Sequence, residues 1–170
     1  MRSLDAIDRD ILRELQDDGR ITNVELARRV GISAPPCLRR VRSLEEAGYI
    51  KGYRALLDEK ALGCEVVAFA MVHLVSQAEA DLQAFEAYVR REPLVRECWM
   101  LSGEIDFVLK CVAPNLSRFQ ALVTDLTAAP RVLNVKTSLT LRNSKETPMV
   151  PVELLRFGAG VMGPTSKSGF

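Results

Sequence analysis

The sequence predicts an α+β fold in two parts, a trihelical segment followed by a β-α-β-β-α-β unit. Three observations carry this. Apolar residues recur at helical spacing as far as Gly48. The period then changes, and residues 49–57 read as extended with a break at Gly52. Beyond Gly63, four strand-like runs alternate with amphipathic helices and a tight turn.

The first helix is marked by Leu4, Ile7, Ile11, Leu12 and Leu15, with Asp8, Arg9, Arg13 and Glu14 mostly on its other face. Asp18-Gly19 is its expected stop, with glycine in the left-handed conformation. The second spans 22–30. Thr22 and Glu25 have capping-box spacing, and a cap is worth roughly 1 kcal/mol. Leu26, Ala27 and Val30 form its apolar face, and Gly31 ends it. Ser33 caps the third helix, 33–47, whose first turn tolerates Pro35 and Pro36 because their missing amide hydrogens would be unpaired there. Leu38, Val41 and Leu44 form the expected buried stripe, with Gly48 as the stop.

Residues 58–63 read as a linker. The expected strands are 65–75, 95–101, 105–112 and 132–141. One helix covers 79–91 with Leu82, Phe85 and Val89 inward, and the other covers 116–128 with Leu116, Phe119, Val123 and Leu126 inward. Pro93 and Pro130 mark the helix-to-strand connections, and Ser102-Gly103-Glu104 the turn between the second and third strands. The implied division is 1–63, 64–142 and a tail, 143–170, whose glycine, proline and serine predict mobility at its end. Both helices of such a unit lie on one face of the sheet. The first strand nevertheless alternates Val67, Phe69 and Met71 with Val66, Ala68, Ala70 and Val72, so both of its faces are apolar. The open face therefore needs a cover. A second copy of the chain is the expected one; the N-terminal segment or the tail is the alternative.

Composition excludes several classes. With 48% hydrophobic and 26% charged residues, the 170-residue chain is in the globular range. The apolar run from Val66 to Leu74 is too short to cross a bilayer, and the N-terminus shows no secretory signal. A net charge of +1 excludes binding to polyanions through bulk charge, so nucleic-acid contact needs a local patch. Cys37, Cys64, Cys98 and Cys111 include no CxxC pair, which predicts a reduced, cytoplasmic setting. The only histidine, His73, lies in a strand-like run. No metal site and no histidine-based catalytic triad is expected.

The second and third helices have helix-turn-helix spacing. Arg39, Arg40 and Arg42 lie opposite the Leu38, Val41 and Leu44 stripe, and Lys51 and Arg54 bring residues 31–54 to a local excess of three positive charges. Such arginines pair phosphates or read guanine edges. The Ser33 hydroxyl and the first amides of the third helix suit a phosphate. The same pattern on an ordinary trihelical core is a solvated basic face.

The run from Leu4 to Gly63, with its glycine stops and the segment CLRRVRSLEEAGYI, resembles the N-terminal half of the Lrp/AsnC, or feast/famine, regulators. The likeness continues through SGEIDFVLK, 102–110, and KTSLTLR, 136–142. It implies a winged helix-turn-helix joined to a ferredoxin-like, RAM-type domain for effector binding and oligomerisation. It also implies homodimers assembling further, often to octamers, and regulation of amino-acid-related genes by an amino-acid effector, with no other cofactor and no membrane partner. By position it marks Asn23 to Arg42 as the helix-turn-helix, which adds Asn23, Ala34 and Pro35 to the expected contacts with double-stranded DNA. The family's effector pocket lies between dimers and maps onto Leu101, Ser102, Gly103, Glu104, Asp106 and Thr137. Glycine there allows close backbone approach, and Asp106 or Glu104 suits an ammonium group. Ile105 stands where many relatives carry an aromatic residue.

Two other readings fit the two-part pattern. An architectural DNA-binding protein would keep the arginines without an effector. A siroheme-decarboxylase-like enzyme would need imidazole and basic groups in the second domain, where His73 is the sole histidine.

Overall fold

Asp5 opens the first helix, α1 (Ala6–Asp17). Its carboxylate accepts the Asp8 amide at 2.8 Å, and the Asp8 carboxylate accepts the Asp5 amide at 3.3 Å, a reciprocal cap built from two aspartates. The computed structural model describes residues 4–145 and 150–152. Two more helices follow, α2 (Asn23–Arg29) and α3 (Ala34–Glu46). Then come β1 (Val66–Leu74), α4 (Glu79–Val89), β2 (Val95–Met100), β3 (Phe107–Ala113), α5 (Leu116–Ala128) and β4 (Val132–Leu139). The α+β order expected from the sequence is the one observed.

The described chain divides into two units, one running through Ala55 and including residues 150–152, the other beginning at Leu56. This differs from the expected boundaries at both ends. Residues 58–64 are a hydrogen-bonded turn rather than a plain linker. Asp58 Oδ1 accepts the Ala61 amide at 2.9 Å and the Cys64 amide donates to the Glu59 carbonyl at 2.8 Å. Residues 150–152 rejoin the first unit. The Gln16 side chain brackets the Val150 backbone, accepting its N–H at 2.7 Å and donating to its carbonyl at 3.1 Å, and Val152 is buried. The rest of the expected mobile tail, 146–149 and 153–170, lies outside the described residues.

The first unit packs around Leu4, Ile11, Leu26, Ala27, Cys37 and Leu44. Burying a side chain such as Ile11 stabilises the unit by about 1.5–3 kcal/mol. Three expectations need correction here. Gly19 does not adopt a positive φ; α1 ends because Asp18 turns extended while its N–H donates to the Glu14 carbonyl. On α3, Leu38 is 38% exposed, and Cys37 takes the core position instead. The Thr22 cap forms at 3.2 Å, but its reciprocal half is replaced because the Glu25 carboxylate accepts from Arg28 and Arg29. Those guanidinium bonds hold the Glu25 carboxyl down to about 2. The turn between α2 and α3 is closed by Gly31 at φ 72°, with the Ile32 amide donating to the Ala27 carbonyl at 3.0 Å. A side chain there would be strained by the left-handed backbone alone.

In the second unit the four strands form one antiparallel sheet in the order β2-β3-β1-β4. Ala68, Ala70, Val72 and Leu74 of β1 and Phe107, Leu109 and Cys111 of β3 meet Phe85, Val89, Phe119, Leu122 and Leu126 from the helices. Leu116, expected inward, is 47% exposed in the first turn of α5, and Leu122 fills the core instead. The opposite face carries Val67, Phe69, Met71 and His73 of β1, none of them in the core cluster. Register places Phe69 beside Lys110 and Ser138, and Met71 beside Val108 and Lys136. The connection between β2 and β3 is longer than the expected three-residue turn. A six-residue loop from Leu101 to Asp106 connects them, closed by the Leu101 amide donating to the Asp106 carbonyl at 2.8 Å.

Candidate functional site

Helix α3 presents Arg39 and Arg42 to solvent, and neither makes an ion pair with any described residue. Arg40 is different. Its guanidinium is 2.7 Å from both Asp5 and Asp8, and Asp8 is fully buried. Bonds to Asp8 and then Asp5 raise the Arg40 guanidinium further above its ordinary value. The sequence reading placed Arg40 on the outer face beside Arg39 and Arg42. The structure instead makes it the bridge between the capped start of α1 and the middle of α3. The missed signal was the Asp5/Asp8 pair, whose spacing is that of a reciprocal cap.

The start of α3 is prepared by its prolines in an unforeseen way. Ser33 stands at the N-cap, yet its hydroxyl makes no capping bond. A capping hydroxyl accepts from the second or third helical amide, and those positions are Pro35 and Pro36, which have none. The exposed hydroxyl is left for another partner. The expected cradle of amides is correspondingly thin. Ala34 supplies the only leading N–H, since the next one, on Cys37, donates to the Ser33 carbonyl at 3.2 Å. Asn23 ties the two helix starts together, its Nδ2 donating to the Ala34 carbonyl at 2.8 Å, while its Oδ1 is buried without a hydrogen-bond partner among the described residues.

Lys51 and Arg54 are exposed on the segment after α3, where residues 50–57 form no strand. That segment is tied back by Tyr53, whose hydroxyl donates to Glu45 Oε1 at 2.9 Å. Burial and the bond to Glu45 push the Tyr53 phenol up to about 12. The acid at Glu45 is thus occupied, and it does not offset the charge of Arg39 or Arg42 through any direct bond.

In the second unit, Ser102, Gly103 and Glu104 form the exposed tip of the β2–β3 loop, with Leu101 43% exposed at its base. Gly103 has φ 137°, and open space lies where a Cβ would stand, so the backbone angle is what calls for glycine. Asp106 does not point to solvent. It is 5% exposed, with Oδ2 accepting the Leu74 amide and Oδ1 accepting from Gln77 Nε2, both at 2.8 Å. The expected ammonium acceptor is therefore a brace between the loop and the end of β1, and Glu104 is the acid left at the tip. Thr137 pairs with Ala70 on β4 and is exposed. β3 and β1 separate that strand from β2, so one chain does not bring Thr137 to the loop. Among the described residues no cluster of His, Cys, Asp or Glu suits a metal ion, and no helix is long and apolar enough to cross a membrane.

A tight helix-turn-helix with a basic outer face, joined to a separate sheet unit with an exposed glycine loop, defines a DNA-binding protein with a ligand-binding half. Residues 4–51 match the winged helix-turn-helix DNA-binding family, and residues 67–150 match the Lrp/AsnC ligand binding domain. The chain belongs to the Lrp/AsnC family of transcriptional regulators. It is 63% identical over 150 residues to the leucine-responsive regulatory protein of Rhizobium meliloti strain 1021, covering 88% of this chain and 96% of that one. It is 40% identical over 147 residues to the leucine-responsive regulatory protein of Escherichia coli strain K12, covering 86% and 90%. Its structure is similar to a transcriptional regulator from Neisseria meningitidis in complex with L-Met. That match has a TM-score of 0.84 and 37% identity, over 90% of this chain and all of that one. An AsnC family regulator from Agrobacterium tumefaciens matches with a TM-score of 0.83 and 31% identity, covering 88% and 98%.

Proposed function

We propose that this regulator reads operator DNA through α3 as a homodimer and changes its assembly or DNA affinity when an amino acid binds at the β2–β3 loop. Arg39 and Arg42, exposed and unpaired among the described residues, carry the reading. They enter the major groove, while Ser33, Lys51 and Arg54 hold phosphates on either side. The outer sheet face, with Phe69 and Met71 at its centre, packs against a second copy, and dimers assemble further. Loop amides near Gly103 take the effector's carboxylate, Glu104 takes its ammonium, and Thr137 comes from a neighbouring copy. The relatives named for leucine and the neighbour complexed with L-Met support an apolar amino acid. The four cysteines are free thiols, which suits work in a reducing cytoplasm.

The experiment is a DNA titration by fluorescence anisotropy at one fixed salt, with and without each amino acid. Arg39→Ala or Arg42→Ala should weaken binding, and an apolar amino acid should shift the wild-type curve by roughly five- to 150-fold. Unchanged affinity in both variants removes α3 as the reading helix. One observation favours an architectural role without an effector: Asp106, an acid the effector reading relied on, is already bound to Leu74 and Gln77. DNA binding that no amino acid shifts decides for that second reading.

A further inference from the structure

The start of α3 is tied to α2 at two points. In the turn, the Ile32 amide donates to the Ala27 carbonyl at 3.0 Å. At the other end of α2, its first residue, Asn23, donates from Nδ2 to the carbonyl of Ala34, the first residue of α3, at 2.8 Å. Leu26, Ala27 and Cys37 pack together in the same core. Burial is non-directional, so it holds two helices together without fixing the angle between them. Hydrogen bonds have a preferred direction, and two of them at separate points fix that angle.

The Asn23 bond is kept at the expense of an unpaired acceptor. Asn23 Oδ1 is the one buried side-chain oxygen or nitrogen without a hydrogen-bond partner among the described residues. Such an atom destabilises, so an apolar residue of similar shape would serve packing as well or better. A local rule broken in this way marks a functional demand rather than a demand for stability. The neighbouring residues show what the demand is. Ser33 forms no capping bond, and Pro35 and Pro36 supply no amides, so the usual local anchors of a helix start are missing from α3.

We propose that Asn23 is a positioning residue for DNA reading. It touches neither base nor phosphate, because its donor is engaged by Ala34 and its acceptor is buried. Through Ala34 it sets the direction in which α3 leaves the turn, and so where Arg39 and Arg42 meet base edges. This role rests on α3 being the reading helix, and it makes Asn23 a support where the family resemblance implies a contact.

The test is fluorescence anisotropy of the full chain with two probes, a duplex that wild type selects from random-sequence DNA and a scrambled duplex of the same composition. Wild type, Asn23→Ala, Arg39→Ala and the double variant form a cycle. Asn23→Ala should bind the selected duplex about tenfold more weakly and the scrambled duplex as wild type does. Its midpoint in urea should match wild type, because removal of the unpaired acceptor offsets the lost bond. The double variant should be little weaker than Arg39→Ala, since both residues act through one helix. Asn23→Asp keeps the shape but sets a carboxylate against the Ala34 carbonyl, so it should separate the two probes less well than Asn23→Ala. Val24→Asp, at an exposed position one residue on, controls for the added charge. Additive losses in the cycle overturn the proposal and make Asn23 an independent contact. Unchanged affinity in Asn23→Ala, equal losses on both duplexes, or a loss that a lower urea midpoint accounts for overturn it as well. An Arg39→Ala variant that binds the selected duplex as wild type does fails the reading by α3, and this role with it.

Discussion

Arg40 and Arg39 are neighbours in sequence and opposites in role. Arg40 compensates Asp8, a fully buried carboxylate, and breaking such a pair from one side is destabilising. Arg40→Ala should therefore lower the stability of the first unit by about 2–4 kcal/mol, read as a lower midpoint in urea. Arg39→Ala should leave that midpoint unchanged and cost about 1–3 kcal/mol in operator affinity if it reads a base. Equal midpoints in the two variants would remove the structural role of Arg40. Asp106 poses the same choice in the second unit. Its carboxylate accepts the Leu74 amide inside the protein, so Asp106→Ala should destabilise that unit by about 1–3 kcal/mol. Loss of effector response in that variant would be interpretable only after its folding is checked by circular dichroism. The sequence showed both residues as polar groups at functional positions. It could not show that each is consumed by partners far along the chain, at separations of 32 and 35 for Arg40 and of 32 and 29 for Asp106.

The elements themselves were legible because each carries a local signal. Helix α5 lies where its spacing placed it, Leu116–Ala128; β1, β2 and β4 lie within their expected runs, while β3 starts two residues later than expected, at Phe107, and runs on to Ala113. The misses are rotations and caps. Leu38 and Leu116 fit a helical stripe by pattern, yet Cys37 and Leu122 face the core. A stripe defined by three or four apolar positions leaves its centre uncertain by one residue, and packing against the other elements decides it. The sequence marks only a three-residue turn between β2 and β3, because serine, glycine and glutamate signal the tip and not the Leu101–Asp106 bond that closes the loop. The sheet also makes a pH prediction. Cys98 and Cys111 lie on the helix side, and burial, which is the main cause for each, pushes both thiols from an ordinary value near 9 up to about 11. Their folded values exceed their unfolded ones, so the neutral thiols favour the folded state. That contribution is fully present below pH 9 and is lost as pH rises toward 11. The urea midpoint should fall across this window in wild type and fall less in Cys98→Ala/Cys111→Ala. Parallel declines in both proteins would assign the loss to other groups.

For the whole molecule, the proposed assembly rests on the open face of the sheet. Both helices pack on the other side, around the core of Phe85, Phe107, Phe119 and Leu126. The outer side holds Phe69 at 36% and Trp99 at 44% exposure, with Met71 and Val108 between them in register. Lys110, Lys136, Asn134 and Ser138 border this apolar centre through their pairings with Phe69, Met71 and His73. An apolar middle with a polar rim is the anatomy of a protein–protein contact. A small unit of this kind is marginal by itself, so covering that face contributes to its folding as well as to assembly. Phe69→Lys places a charge at the centre of the face without touching the core. It should convert the dimer to a monomer at micromolar concentration in sedimentation, with the sheet retained by circular dichroism. Leu116→Lys is the matched control, since Leu116 is also exposed and apolar but lies on α5, on the helix side of the sheet. If copies meet through the outer face, Leu116→Lys stays dimeric. DNA affinity should follow the same division, because two linked reading helices bind a paired site far more tightly than one. A monomeric wild type would mean that this face is covered by another part of the chain, and a Phe69→Lys variant that remains dimeric would mean that copies meet elsewhere.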